Sequence, residues 1–305
     1  VKAQAYQNLQ LVVLDDCSTD GSAEIIQSWL DRHWPDAIFV VHEINLGICR
    51  SVNDALSHAK GKYIRLLAAD DRWIPNTLLP QVETMEKASE DVGVLYSDAF
   101  QIDEGGRFLP KMFIESHRSF AQMPDGWIFD TLVEGNFIPG MTALIRRSCF
   151  QVVGGADENL LFEDWDLWLR ISRKFRFRSF PAPTACYRVV TTSMVRTMAT
   201  AIVESEGRVL VKCLRRDWLK GPIREYAVLR EYLEACRAYR RMQPDRALEA
   251  AWAFRHRICV KHALLLSFVI IGLPYSRFEQ LIGVLSNIKN RAKLRANDES
   301  TREPR

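Results

Sequence analysis

LQLVVLDDCSTDGS, residues 9–22, is the stretch that decides the fold. An aliphatic run over 9–14 stops abruptly at Asp15-Asp16-Cys17-Ser18. A short apolar run closed by a polar turn reads as a buried parallel strand, because a half-exposed strand would alternate apolar with polar residues. Beyond Gly21, the residues Ile25, Ile26, Trp29 and Leu30 recur at helical spacing, so a helix follows over 23–30. The alternation continues downstream: a strand over 37–41, a helix over 52–59 closed by Gly61, and a strand over 62–67 that runs into Ala68-Ala69-Asp70-Asp71. A helix over 77–88 and a strand over 92–96 (VGVLY) come next. Strands alternating with helices specify an α/β fold, Rossmann-like, with a mostly parallel sheet flanked by helices. Ligands of such sheets bind beyond the carboxyl ends of the strands, and both acidic pairs stand there.

Further along, residues 105–140 are rich in Gly, Pro and aromatics with weak periodicity and read as loops over the site. A strand over 140–145, a turn at Gly154-Gly155 and a helix over 164–174 complete this part. From residue 199 the pattern is helical, with breaks near Gly221-Pro222, Pro244 and Pro274. Two parts are therefore expected, 1–198 as the α/β domain and 199–305 as an α-helical extension.

Composition narrows the class. Hydrophobic residues make up 48% and charged residues 26% of 305, which excludes a disordered chain and a collagen-like repeat. Seven cysteines, with no CxxC pair, read as reduced thiols in a cytoplasmic setting rather than a bridge framework. The net charge of +3 conceals an acidic front and a basic helical tail. An acidic front suits a metal-holding site. The tail suits either a solvated face or peripheral contact with an anionic membrane surface, which makes the inner face of the membrane a second expected location. The apolar run 263–273 is shorter than the roughly 20 residues of a simple membrane span and reads as a buried helix. No secretory leader pattern opens the chain. Without aromatic interleaving or a known motif, the basic tail does not indicate nucleic acid.

Four segments carry candidate chemistry. Asp15-Asp16-Cys17-Ser18 could accept hydrogen bonds from a base and a ribose, or simply cap a turn. Asn45-Leu46-Gly47 with Asn53 could frame a nucleotide, or be a glycine loop and a helix. Asp70-Asp71 could ligate Mg²⁺ or Mn²⁺ against a diphosphate, since hard cations take oxygen ligands. Glu163-Asp164 could open a helix whose dipole favours negative charge, with Asp164 also placed to act as a general base. Trp127 is the aromatic best placed to stack on a sugar ring.

Taken in order, VVLDDCSTDGS, NLGI, Asn53, GKYIRLLAADDRWIP and FEDWDLWLRIS resemble glycosyltransferase family 2, whose members adopt the GT-A fold, over residues 1–195. The resemblance implies that Asp15, Asp16 and Ser18 meet the nucleotide and that Asn45, Gly47 and Asn53 frame it. It implies that Asp70, with Asp71, holds a divalent cation against the diphosphate. It makes Asp164 the base that deprotonates an acceptor hydroxyl, with Glu163 and Trp127 on the acceptor side. The implied function is an inverting transfer from a nucleotide-diphosphate-sugar, such as a UDP-sugar, to a glycan or glycolipid acceptor in surface polysaccharide or glycolipid synthesis. Three departures stand out. The family's opening strand, which ends in a sequence like Pro-Thr-Tyr-Asn, has no counterpart before Ala3-Gln4-Ala5-Tyr6-Gln7-Asn8, so a truncated copy is expected. Ala68 replaces the first Asp of the family's Asp-x-Asp, and Val190 stands where His is frequent. These departures favour, as the alternative, a catalytically inactive nucleotide-sugar-binding or scaffolding relative.

Overall fold

The computed structural model describes residues 1–120, 122–193, 197–240, 243, 247, 265, 267 and 274–282. Backbone contacts divide the chain into two compact units, Val1–Ser205 and Glu206–Arg305.

The first unit opens with β1 (Val12–Asp15), α1 (Ser22–His33), β2 (Ile38–Val41) and α2 (Ile48–His58). β1 and β2 pair in parallel, with Asp15 opposite Val41, so both strands end at one level. Next come β3 (Tyr63–Ile64), β4 (Arg72–Trp73), α3 (Leu78–Lys87) and β5 (Val92–Tyr96). The segment expected as one strand over 62–67 is only two residues of ladder. Arg65 leaves it to donate to the Met141 and Thr184 carbonyls and to Gln81.

A hairpin follows, β6 (Ala99–Ile102) and β7 (Phe108–Met112), then α4 (Phe113–His117) and α5 (Phe129–Val133). Residues 105–140 are thus more ordered than their composition suggests. The hairpin closes because Asp103 Oδ1 accepts the Arg107 amide and Gly106 takes φ +83°, which glycine tolerates. Across it, the Phe100 and Phe108 rings meet edge-on at 5.3 Å.

The unit continues with β8 (Leu144–Arg146), α6 (Arg147–Val153), α7 (Trp165–Ser172), β9 (Arg176–Ser179) and β10 (Ala185–Arg188). The strands form sheets in the orders β3-β8-β5-β9 and β4-β10-β6-β7, beside the β1-β2 pair. Pairing is mixed rather than mostly parallel: β5–β9 and β6–β10 run parallel, while β8 lies antiparallel to both β3 and β5. A strand buried on both faces has the same apolar signature whichever way its neighbours run.

β5 is buried along its whole length. Its Gly93 is obligatory for packing, since a Cβ there would sit 2.6 Å from both Cys149 Sγ and Phe175 Cβ. α3 lays Leu78, Val82 and Met85 against Val92, Leu95 and Leu144. Each such side chain contributes roughly 1.5–3 kcal/mol on burial. Arg146, 3% exposed, ties this core together by donating to the Val92, Met85 and Ala88 carbonyls, which places a cation at the α3 C-terminus.

α8 (Ala199–Arg215) crosses into the second unit, which also holds α9 (Gly221–Arg240). The apolar run 263–273 falls, but for residues 265 and 267, outside the described residues. Among the described residues, no helix is long and apolar enough to cross a membrane. None of the six described cysteines is in a disulfide; Cys259 lies outside the described residues.

Candidate active site

Three acidic groups occupy the carboxyl ends and loops of the first unit. At the first, the common end of β1 and β2 sets Asp16 beside His42. Asp15 is buried, and its Oδ1 accepts the Ser18 amide at 2.8 Å, which fixes the turn after the strand. Asp16 Oδ1 accepts from His42 Nδ1 at 2.8 Å and from the Leu46 amide at 2.9 Å, and its Oδ2 accepts the Gly47 amide at 2.8 Å. Burial alone would raise its proton affinity. The hydrogen bonds from His42, Leu46 and Gly47 overcome that and hold the carboxyl below its ordinary range. Asn45 and Ser18 stand exposed on either side. Cys17 takes φ 68°, a left-handed conformation that costs a non-glycine residue about 1–2 kcal/mol.

α2 begins at Ile48, directly after Gly47, whose φ of +84° again suits glycine. Asn53 on this helix serves the protein itself: its Oδ1 accepts the Ala156 amide at 2.7 Å, and its Nδ2 donates to Ala156 O and Glu158 Oε1, each at 3.0 Å. It braces the Gly154–Ala156 turn.

That turn leads to the second group. Asp164 is the N-cap of α7, its Oδ1 accepting the Trp165 amide at 2.6 Å while Oδ2 accepts from Asn136 Nδ2 at 2.7 Å. Neighbouring Glu163 is pushed up to about 7, first by burial and then by the charge of Asp164. From inside α7, Arg170 grips the same turn: it pairs with buried Asp166 at 2.7 Å and donates to the Val153, Gly154 and Gly155 carbonyls. α2 and α7 therefore hold one turn from two sides. Cys49, in the first turn of α2, donates to Leu160 O and feels the negative field of Glu163 and Asp164. The start of α2 and the Glu163–Asp164 pair are thus linked through one turn.

The third group is Asp70-Asp71, at β4. The Asp70 carboxylate is exposed and takes no hydrogen bond from the described residues, although its main-chain carbonyl accepts from Arg188 Nε at 2.8 Å. Asp71 is half-buried, its Oδ1 accepting the Arg188 amide at 2.9 Å, and burial pushes it up to about 6. Arg188 Nη1 also reaches the Asp103 and Glu104 carbonyls, which fastens the hairpin turn to this loop. No group of three His, Cys, Asp or Glu among the described residues could hold a metal unaided. A divalent ion shared with a diphosphate needs only one or two protein carboxylates. Asp70 fits such a shared ion, whereas Asp71, expected as a second ligand, is turned to Arg188.

Trp127 stands apart. It is 62% exposed, beside Gly126, which pairs with Phe177 of β9, and no described ring contact or hydrogen bond joins it to Asp164. Sequence reasoning passed over Asn136, His42 and the double grip of Arg188. Only the last had a signal, in Tyr187-Arg188 at the end of β10.

Residues 1–153 match the sequence model described as Glycosyl transferase family 2. The chain belongs to that family. A curated relative, putative glycosyltransferase EpsE of Bacillus subtilis (strain 168), is 29% identical over 74% of this chain and 78% of its own length. Putative teichuronic acid biosynthesis glycosyltransferase TuaG of the same organism is 28% identical over 47% of this chain and 53% of its own. The chain spans about half the length of several other relatives, among them an uncharacterized glycosyltransferase of Rickettsia prowazekii (strain Madrid E). Among solved structures, S. aureus TarS 1-349 in complex with UDP superposes with a TM-score of 0.52 at 16% identity, covering 88% of this chain and 80% of that one. Mannosyltransferase PcManGT from Pyrobaculum calidifontis, in complex with GDP-Man and Mn²⁺, gives 0.55 at 19% identity over 92% and 76%. The fold is GT-A, and family membership makes the protein a transferase.

Proposed function

We propose that this family 2 protein is an inverting, divalent-cation-assisted glycosyltransferase that takes a nucleotide-diphosphate-sugar and glycosylates a hydroxyl of a glycan or glycolipid acceptor. The observation that carries the reading is Asp164, a carboxylate aimed by Asn136 and the Trp165 amide beside a neutral-leaning Glu163. As base, Asp164 takes the proton of the acceptor hydroxyl while that oxygen bonds to the anomeric carbon. The bond from that carbon to the diphosphate breaks, and the configuration inverts. A Mg²⁺ or Mn²⁺ ion at Asp70 would offset charge developing on the departing diphosphate. The donor's nucleotide lies along the β1 end and the 42–47 loop. The name of TuaG supports surface polysaccharide as the acceptor class.

Release of nucleoside diphosphate from UDP- and GDP-sugars, with Mn²⁺ and a panel of glycan acceptors, tests this. Asp164→Asn is expected to titrate with donor as the unaltered chain does and to release nothing above background. Turnover by Asp164→Asn at the unaltered rate would refute the assignment. Donor binding by the unaltered chain with no turnover on any acceptor would favour a non-catalytic nucleotide-sugar binder, a reading that Ala68 and Val190 support.

A further inference from the structure

His42 stands one residue past β2, and its two ring nitrogens face two different carboxylates. Nδ1 lies 2.8 Å from Asp16 Oδ1, and Nε2 lies 3.1 Å from Asp54 Oδ2. A neutral imidazole has one N–H and one lone pair. In that state, one of the two contacts would press a lone pair against a carboxylate oxygen. Both contacts are satisfied only when both nitrogens carry hydrogen.

The surroundings favour the same state. The His42 side chain is 10% exposed, so water competes little for either bond. The hydrogen bond to Asp16, then that to Asp54, raises its proton affinity above the usual histidine value, against the opposing effect of burial. His58 also faces this cluster, 3.7 Å from the second oxygen of Asp54, while the Asp15 main-chain carbonyl accepts the His42 amide at 2.9 Å.

The contacts close a ring. Asp54, in the second turn of α2, holds His42; His42 holds Asp16; and Asp16 holds the Leu46 and Gly47 amides, which lead straight into the first turn of α2. A loop of positive-φ glycine and exposed residues is thereby pinned to the first two turns of one helix. The carboxylate doing the pinning borders the cleft assigned to the nucleotide.

We propose that His42, as an imidazolium, is a positioning residue for the donor, fixing Asp16 and the 42–47 loop in the shape that receives the nucleotide. The proposal rests on the donor reading given above. It makes donor binding depend on a charge that touches no substrate. Above the pH at which His42 loses its second proton, the Asp16 or the Asp54 contact fails and the loop loosens.

Two measurements on the full chain test this. Long-range ¹H–¹⁵N spectra, assigned with His42→Gln, should show both His42 ring nitrogens protonated at pH 7. Calorimetric titration with UDP and GDP in the presence of Mn²⁺, from pH 6 to 9, should show affinity falling as His42 deprotonates. In His42→Gln the affinity should be roughly tenfold lower at pH 6, the loss of one charge-assisted hydrogen bond, and that pH step should be absent. In turnover, the change should fall on the donor KM and leave kcat nearly intact. A neutral tautomer at pH 7 would overturn the proposal, as would His42→Gln with unaltered affinity and pH profile. A doubly protonated ring in a chain that binds neither nucleotide at any pH would overturn the donor reading and the positioning role with it.

Discussion

Gly155 gives the sharpest test of how this site is assembled. Its φ is not positive, so its need for glycine comes from space alone. A Cβ there would lie 2.1 Å from Asn53 Oδ1, 3.0 Å from Cγ and 3.6 Å from Nδ2. The three nearest atoms thus all belong to one carboxamide. In Gly155→Ala that carboxamide must move by more than 1 Å, and all three of its hydrogen bonds fail with it. At about 1 kcal/mol each the loss is about 3 kcal/mol, and the Ala156 amide, in a residue only 7% exposed, loses its acceptor. Alanine also restricts the unfolded chain, which returns about 0.4–1 kcal/mol. The expected net destabilisation is about 2–3 kcal/mol, read by urea unfolding. Asn53→Ala removes the same three bonds and should cost a similar amount, but it also removes the obstacle. The double variant should therefore be no less stable than either single one, a coupling of about 2–3 kcal/mol between neighbours. Additive losses in the double variant, or a Gly155→Ala protein within about 0.5 kcal/mol of the unaltered chain, would refute the reasoning.

Three further outcomes follow from the site. Asp70→Ala should abolish the gain in UDP or GDP affinity brought by Mn²⁺ while leaving metal-free binding unchanged; an equal Mn²⁺ effect in both proteins would place the ion elsewhere. Asn136→Ala should lower kcat by about tenfold with little change in KM, because it frees one oxygen of Asp164 from a single hydrogen bond. Glu163 binds its proton up to about pH 7 in the folded chain and less tightly when unfolded, so the native state holds the extra proton between about pH 4.5 and 7. Stability should consequently fall as pH rises through that window, by at most about 3 kcal/mol, and Glu163→Gln should flatten the slope of the urea midpoint against pH.

Much of the architecture was legible because burial leaves a mark on composition. VGVLY announced β5 to the residue and Asp15-Asp16 announced the end of β1, whereas Asp70-Asp71 stand in the loop before β4 rather than at the end of the strand before them. Asp164 as a helix opener followed from the apolar spacing of α7 behind it. Strand direction was not legible, because nothing in the short sequences of β8 (LIR) and β9 (RFRS) marks that one runs against β5 and the other with it. The β6–β7 hairpin hid in a Gly-rich stretch whose order comes from the Asp103 side chain closing the turn. Within the site, chemistry-bearing residue types could be read, but their partners could not. Asn53 has the character of a ligand contact and instead braces a turn a hundred residues away in sequence, while Asn136 sits in a loop without periodicity and reaches Asp164 only through the fold.

The turn gripped by both Asn53 and Arg170 has a consequence for how this protein can change. Two helices that share one fastening cannot be adjusted separately. A substitution that reshapes the start of α2 for a bulkier sugar nucleotide transmits its displacement through Gly154–Ala156 to the cap of α7, and so to Asp164. On the roles proposed for α2 and Asp164, selectivity and speed are inherited together along this path, and variants chosen for a new donor should first be slow and then recover through second changes in the turn itself.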